Sequence, residues 1–199
     1  MRTKSILALF LLLAGIQTVT AQYCCESDRD ARYQTVATAY DSALASRIPV
    51  VTLPESYRVR SLPAAIDNST LPYFPGIYAQ YLFFSCQQYA GVTYTYTYEV
   101  NRLRNVAANV EENRYPAHYT WNFLNYGGQF VGVNFLHTFH ALMQQGQMSR
   151  AEYGPDTATR YLGWVSGYDK YEKAFPNRIL GVKSIPINTE EGILTLKHY

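Results

Sequence analysis

The predicted fold depends on the stretch CQQYAGVTYTYTYEVNRLRN, residues 86–105. Its parts favour different structures. From Thr93 to Tyr98, threonine and tyrosine alternate with a period of two, a pattern rich in β-formers and typical of a strand. The flanks, residues 86–90 and 99–105, favour a helix instead. The sequence alone leaves both structures open for this stretch.

The chain on either side of this stretch divides into clearer elements. Helical spacing of apolar residues, proline content, Gly breaks and N-cap residues give the boundaries. We predict helices over 26–47, 117–125 and 135–145, and a further helix that starts after Asn188 or Thr189. Between the helices we predict extended chain over 49–54 and 54–80, a polar turn over 106–114, irregular structure over 150–166 and a strand within 178–187.

The N-terminal residues, 1–21, have the features of a cleavable secretion signal. Arg2 and Lys4 precede an apolar run, 6–16, and then the small-residue tripeptide 19–21. As a helix that run would be roughly 16 Å long, about half the hydrocarbon core of a bilayer. We therefore predict a secreted, periplasmic or cell-surface protein without stable membrane insertion, the alternative being a short membrane anchor.

Charge and length limit the function classes. Two of the 17 Lys and Arg lie in the predicted signal, so the cations that remain equal the 15 Asp and Glu. A balanced chain of this kind does not favour nucleic-acid binding, which needs a basic face to displace counterions. The remaining length suits one domain with a sizeable core, and we see no pattern that requires a cofactor or a metal.

Three cysteines, an odd number, lie outside the predicted signal. Cys24 and Cys25 are adjacent and cannot easily bond each other without strain. They could bond other chains or bind metal, and the sequence does not decide between these. Cys86 is isolated in the chain interior, so it is the candidate for a functional thiol.

The spacing of three residues around Cys86 resembles that of the papain-like cysteine peptidases. The segment Leu62-Pro63-Ala64-Ala65-Ile66-Asp67 is similar to the opening of the mature enzyme in that family, Gln80 follows Asp67 by thirteen residues, and Cys86 follows Gln80 by six. The resemblance implies an α+β fold, Cys86 as nucleophile, Gln80 as oxyanion donor, and a peptide or protein substrate. It covers residues 61–199 and implies mainly the helical N-terminal lobe, with the second lobe truncated. Residues 22–60 form a helical and extended segment, and the sequence leaves open whether this segment is a propeptide or part of the folded domain.

The peptidase interpretation requires a particular structure for residues 86–105. A thiolate is the attacking species, and the first turn of a helix would direct backbone N–H groups and the positive dipole end at the sulfur. Residues 92–98 must then form helix in spite of their alternation.

The sequence also departs from the family. Bulky residues 81–84 precede Ser85 where glycine is usual and would obstruct the cleft, Phe83 replaces a cysteine that is normally disulfide-bonded, and Gln87 replaces an aromatic residue. The catalytic His and Asn would lie about 130–150 residues after Cys86, beyond residue 199, so we expect the chain as it stands to be inactive.

A local histidine could in principle replace the missing base. The four histidines are His118, His137, His140 and His198. We predict that His137 and His140 are partly exposed helical residues, the alternative being that they form half of a metal site.

Two other function classes remain open. One is a non-catalytic exported binding protein on the same scaffold, whose Tyr-rich surface, drawn from 19 tyrosines, holds a partner. The other is a small domain unrelated to peptidases, which predicts a strand over 92–98 and places Cys86 away from any helix start.

The signal interpretation predicts the N-terminus of the exported protein. Expression of the full chain with export, followed by mass spectrometry of the intact product, should give a polypeptide that begins at Gln22. A product that retains residues 1–21 would instead support the membrane anchor.

Overall fold

The computed structural model describes residues 8–11, 41–58, 61–78, 80, 83–126, 131–155 and 167–199, with backbone alone at 8–11. These residues are mostly helical. The helices are α1 Ser42–Ala45, α2 Glu55–Arg58, α3 Cys86–Gln88, α4 Thr97–Arg104, α5 Ala117–Leu124, α6 Phe135–Gln145, α7 Arg150–Tyr153, α8 Tyr168–Ala174 and α9 Glu190–His198. The strands are β1 Ala8–Leu11 and β2 Gly181–Ser184.

The stretch 86–105 forms one continuous helix. A π-helical segment, Tyr89–Tyr96, joins α3 to α4, and the junction residues keep helical backbone angles. We call residues 86–104 the central helix. It ends at Asn105, whose left-handed conformation (φ 53°) is one of the usual ways a helix terminates.

Packing explains why helix prevails over the alternating pattern. Val92, Tyr96 and Val100 are fully buried and lie in one core cluster with residues of α6, including Phe139. Helical spacing places these three side chains on the core side, whereas Tyr94 is left half-buried. Tertiary burial has therefore overridden β-propensity, which is a weak and context-dependent preference.

Threonine hydroxyls satisfy the wide turns of the π-helical segment. Thr95 Oγ1 donates to the Ala90 carbonyl (2.8 Å) and Thr97 Oγ1 to the Val92 carbonyl (3.2 Å), in each case five residues back. The same residues that suggest a strand in the sequence thus supply hydrogen bonds that suit i→i+5 geometry.

The second buried cluster lies at the start of the central helix. It contains Phe83, Tyr89, Ala117, Trp121 and Val133, which come from the central helix, α5 and the two loops beside them. This cluster fixes the position of α5 and of the loop before α6 relative to Cys86.

An N-terminal segment packs against the C-terminal part of the chain. Val51 N donates to Ser184 O (2.8 Å) and Ser184 N to Pro49 O (2.9 Å), which forms a parallel bridge. β1 also pairs in parallel with β2, with Ala8 opposite Gly181. Arg58 adds a two-pronged hydrogen bond to the Glu191 carboxylate.

Several sequence predictions are confirmed. Residues 49–54 are extended, α5 and α6 match the predicted helices with α6 ending at Gly146, and α9 begins after Thr189, whose hydroxyl accepts from Gly192 N (3.0 Å). A small strand lies within 178–187 as expected. The strand over 92–98 that the unrelated-domain hypothesis predicts is wrong, and so is its displacement of Cys86 from a helix start.

Other predictions are wrong in detail. Residues 54–80 include the helical turn α2, and 150–166 include α7, which a capping box between Ser149 and Glu152 stabilises. Of the helix predicted over 26–47, only 41–47 lies within the described residues, where α1 ends at Ala45.

No helix of the described residues has the length and apolarity needed to cross a bilayer. Cys24, Cys25 and most of the predicted signal lie outside these residues, so the secretion signal stays a prediction.

Gly146 provides a sharp test of the packing between α6 and α8. Its φ is +79°, and a Cβ would lie 2.0 Å from the backbone oxygen of Ala174. We expect Gly146→Ala to lower the free energy of unfolding by about 2 kcal/mol or more. Gly76→Ala is the matched control, because its Cβ would meet nothing within 4 Å; equal effects in chemical denaturation would contradict this packing.

The Arg58–Glu191 contact predicts a pH dependence. Hydrogen bonding from Arg58 lowers the pKa of Glu191 below its ordinary value of 4.5. A lowered pKa in the folded state stabilises the fold above the unfolded-state pKa, and this stabilisation disappears as the pH falls through the folded-state pKa. Glu191→Gln should therefore lower Tm at neutral pH and leave Tm unchanged in acid. Glu190→Gln, the control, should leave Tm unchanged at both pH values. A difference that persists in acid would contradict the assignment.

Candidate functional site

Cys86 is a free, exposed cysteine at the first position of the central helix. The side-chain nitrogen of Gln80 lies 2.9 Å from its sulfur and donates a second hydrogen bond, of 2.8 Å, to the Phe83 carbonyl. Each of the two N–H groups of the Gln80 side-chain amide therefore donates one hydrogen bond. The Phe83 carbonyl orients the amide, and the remaining N–H faces the sulfur.

The helix start beside Cys86 keeps a backbone donor available. Ser85 is fully buried, and its side chain makes no capping hydrogen bond. The backbone N–H of Cys86 has no hydrogen-bond partner within the described part of the chain. An uncapped helix N-terminus with a nearby side-chain amide can hold a negative oxygen.

Bulky residues before the cysteine were expected to obstruct the site. Phe83 does not, because only 3% of it is exposed and its ring packs edge-on against Trp121 with centroids 5.5 Å apart. Phe84 is half-buried. Tyr81 and Leu82 lie outside the described residues, so the expected obstruction is contradicted at Phe83 alone.

The residues 131–135 run beside the helix start and are held there by three side chains. Trp121 Nε1 donates to Val131 O (3.1 Å), Gln88 Nε2 donates to Val133 O (2.9 Å), and Gln87 Oε1 accepts from Phe135 N (2.7 Å). We call these residues the 131–135 segment. It forms a backbone wall along the first turn of the central helix, where it contacts Gln87 and Gln88.

The histidines do not supply a base at this site. His118 is fully buried with its ring 4.9 Å from that of Tyr153. His137 lies 3.4 Å from Asp41 Oδ2, His140 is exposed, and His198 packs near Tyr57. Within the described residues no histidine is hydrogen-bonded to Cys86, and no three His, Cys, Asp or Glu side chains gather into a possible metal site.

The segment likened to the opening of a mature peptidase lies elsewhere. Residues 62–66 line a groove of about 670 Å³ together with α4 and the end of α9. Neither Gln80 nor Cys86 lines this groove. The structure brings Gln80 and Cys86 into contact, whereas residues 62–66 line a groove to which neither of them contributes.

Sequence reasoning missed Gln87 and Gln88. Gln88 is fully buried, and its two acceptors lie 45 and 50 positions further along the chain. The one available signal was a pair of amides directly after the candidate nucleophile, where the resembled family has an aromatic residue.

Comparisons with known proteins give no relative. No family model, no curated protein and no solved structure matches this chain.

Proposed function

We propose that the chain carries the nucleophile and the oxyanion donor of a papain-like cysteine peptidase, with Cys86 and Gln80 in these roles. The observation that supports this most directly is the hydrogen bond between Gln80 Nε2 and Cys86 Sγ at the start of a long helix. The spacing of the two residues in the sequence and their contact in space agree.

The chemistry would be acyl transfer. The Cys86 thiolate attacks the carbonyl carbon of a peptide bond, and the carbonyl oxygen becomes an oxyanion held by the Gln80 amide and the Cys86 N–H. Collapse of this intermediate breaks the C–N bond and leaves a thioester, and the amine departs with the proton that a base has taken from the Cys86 thiol. Water then hydrolyses the thioester and restores the thiol.

A peptide substrate is supported by the 131–135 segment. Its polar backbone groups at 131, 133 and 135 bond toward the protein. In an extended chain the groups of alternate residues face opposite sides, so those of Gly132 would face away. Gly132 has no hydrogen bond within the described residues, and an extended peptide could pair with it.

The complete reaction also needs a base. No histidine is hydrogen-bonded to Cys86 in the described part of the chain, and this observation favours a second candidate, a non-catalytic exported binding protein on the same scaffold. The two candidates differ in the reactivity of Cys86: a nucleophile that the helix start activates should be alkylated faster than an ordinary exposed thiol.

Two probes of Cys86 test the proposal on the full chain. Iodoacetamide should label Cys86 faster than free N-acetylcysteine, and a peptide aldehyde should add reversibly to its sulfur. Loss of the oxyanion donor in Gln80→Ala should weaken aldehyde binding by about a hundredfold, while iodoacetamide labelling stays within about threefold because it develops no oxyanion.

The controls follow from the chain itself. Cys86→Ser gives the background from Cys24 and Cys25, and Gln144→Ala removes an exposed glutamine outside the site. Slow labelling of Cys86 together with no aldehyde binding would favour the binding protein over the peptidase.

A further inference from the structure

Gln87 and Gln88 connect the nucleophile-bearing helix to the wall beside it. Both follow Cys86 directly, and both bond to the 131–135 segment, Gln88 at Val133 O (2.9 Å) and Gln87 at Phe135 N (2.7 Å). Each contact joins residues that lie more than forty positions apart. The distance between the Cys86 sulfur and the backbone of the segment therefore depends on these two amides.

We propose that Gln87 and Gln88 are positioning residues that hold the 131–135 segment at a fixed place beside Cys86. The inference rests on the proposed function in one respect: the segment is taken as the surface along which a peptide aligns. The two glutamines do not touch the reacting atoms. They act through the backbone that they hold.

The chemistry of Gln88 is difficult to explain by stability alone. Its side chain is fully buried, and its amide nitrogen serves both Val133 O and Thr138 Oγ1, each at 2.9 Å. Its side-chain oxygen is buried without a hydrogen-bond partner among the described residues. A buried polar atom without a partner destabilises a protein, whereas an apolar side chain of similar size would not. What the amide contributes is a defined position for the segment.

A relay extends this restraint into α6. Thr138 Oγ1, which accepts from Gln88, itself donates to Asn134 O (3.2 Å). Asn134 caps α6 through a hydrogen bond from Leu136 N (2.8 Å). The segment is thus fixed from the central helix and from the first turn of α6 together.

Gln87 completes the arrangement with an acceptor. Phe135 N is a first-turn donor of α6 that has no acceptor within its own helix, and Gln87 Oε1 satisfies it. A carboxylate could replace this acceptor, but a thioether could not. Glu and Met at position 87 therefore separate the hydrogen bond from the size of the side chain.

The first measurement is amide hydrogen exchange on the full chain. Gln87→Met should speed exchange of the 131–135 amides by about tenfold, because it removes one hydrogen bond. Gln88→Met should do the same, Gln87→Glu should restore slow exchange, and Gln144→Met should have no effect. Unchanged exchange in both Met variants overturns the proposal.

The second measurement separates positioning from general destabilisation. In Gln87→Met the affinity for a peptide aldehyde should fall by about tenfold, whereas iodoacetamide labelling of Cys86 should stay within about twofold since the small reagent does not use the segment. Gln87→Glu should recover the affinity. Parallel losses with both reagents, or no recovery in Gln87→Glu, overturn the proposal.

Failure of the proposed function has a different signature. If the unaltered chain binds no peptide aldehyde and Cys86 reacts as an ordinary thiol, the peptidase assignment fails. Exchange of the 131–135 amides still decides whether the glutamines hold the segment.

Discussion

The burial of one side of the central helix is the constraint on which the rest depends. Val92, Tyr96 and Val100 have no exposed surface and lie in one core cluster. A helix stacks these three side chains on one side, whereas Tyr94, which a strand would place on the same face, is left half-buried. This packing places Cys86 at the first turn, where its backbone N–H has no partner among the described residues. It also orients Gln87 and Gln88 toward the 131–135 segment. The chemistry at the helix start is thus a consequence of apolar packing further along the same helix.

The sequence predicts those elements whose ends carry local signals. α6 ends at Gly146 and α9 begins at Thr189, a glycine and a capping hydroxyl that act within a few residues. The central helix could not be settled in this way, because its local pattern favours a strand and only distant partners decide against it. The pairing of β1 with β2 was not predicted, because residues 6–16 were assigned to a secretion signal.

The candidate site shows the same difference between contacts that are local in the sequence and contacts that are distant. The proximity of Gln80 and Cys86 was implied by the resemblance to papain-like peptidases, and the two residues are only six positions apart, so a short segment before the helix can bring them together. The roles of Gln87 and Gln88 depend on contacts with residues near 135, and no local rule connects them.

The contact between the two ends of the chain has a kinetic consequence. Arg58 meets Glu191 across 133 positions, and Pro49 and Val51 bond to Ser184. Contacts this distant in sequence are slow to form, whereas a helix can form as soon as its own residues are available. During synthesis the central helix can form early, but the contacts that residues 49–58 make with Ser184 and Glu191 have to wait until these two residues have left the ribosome. This side of the fold therefore closes late in synthesis.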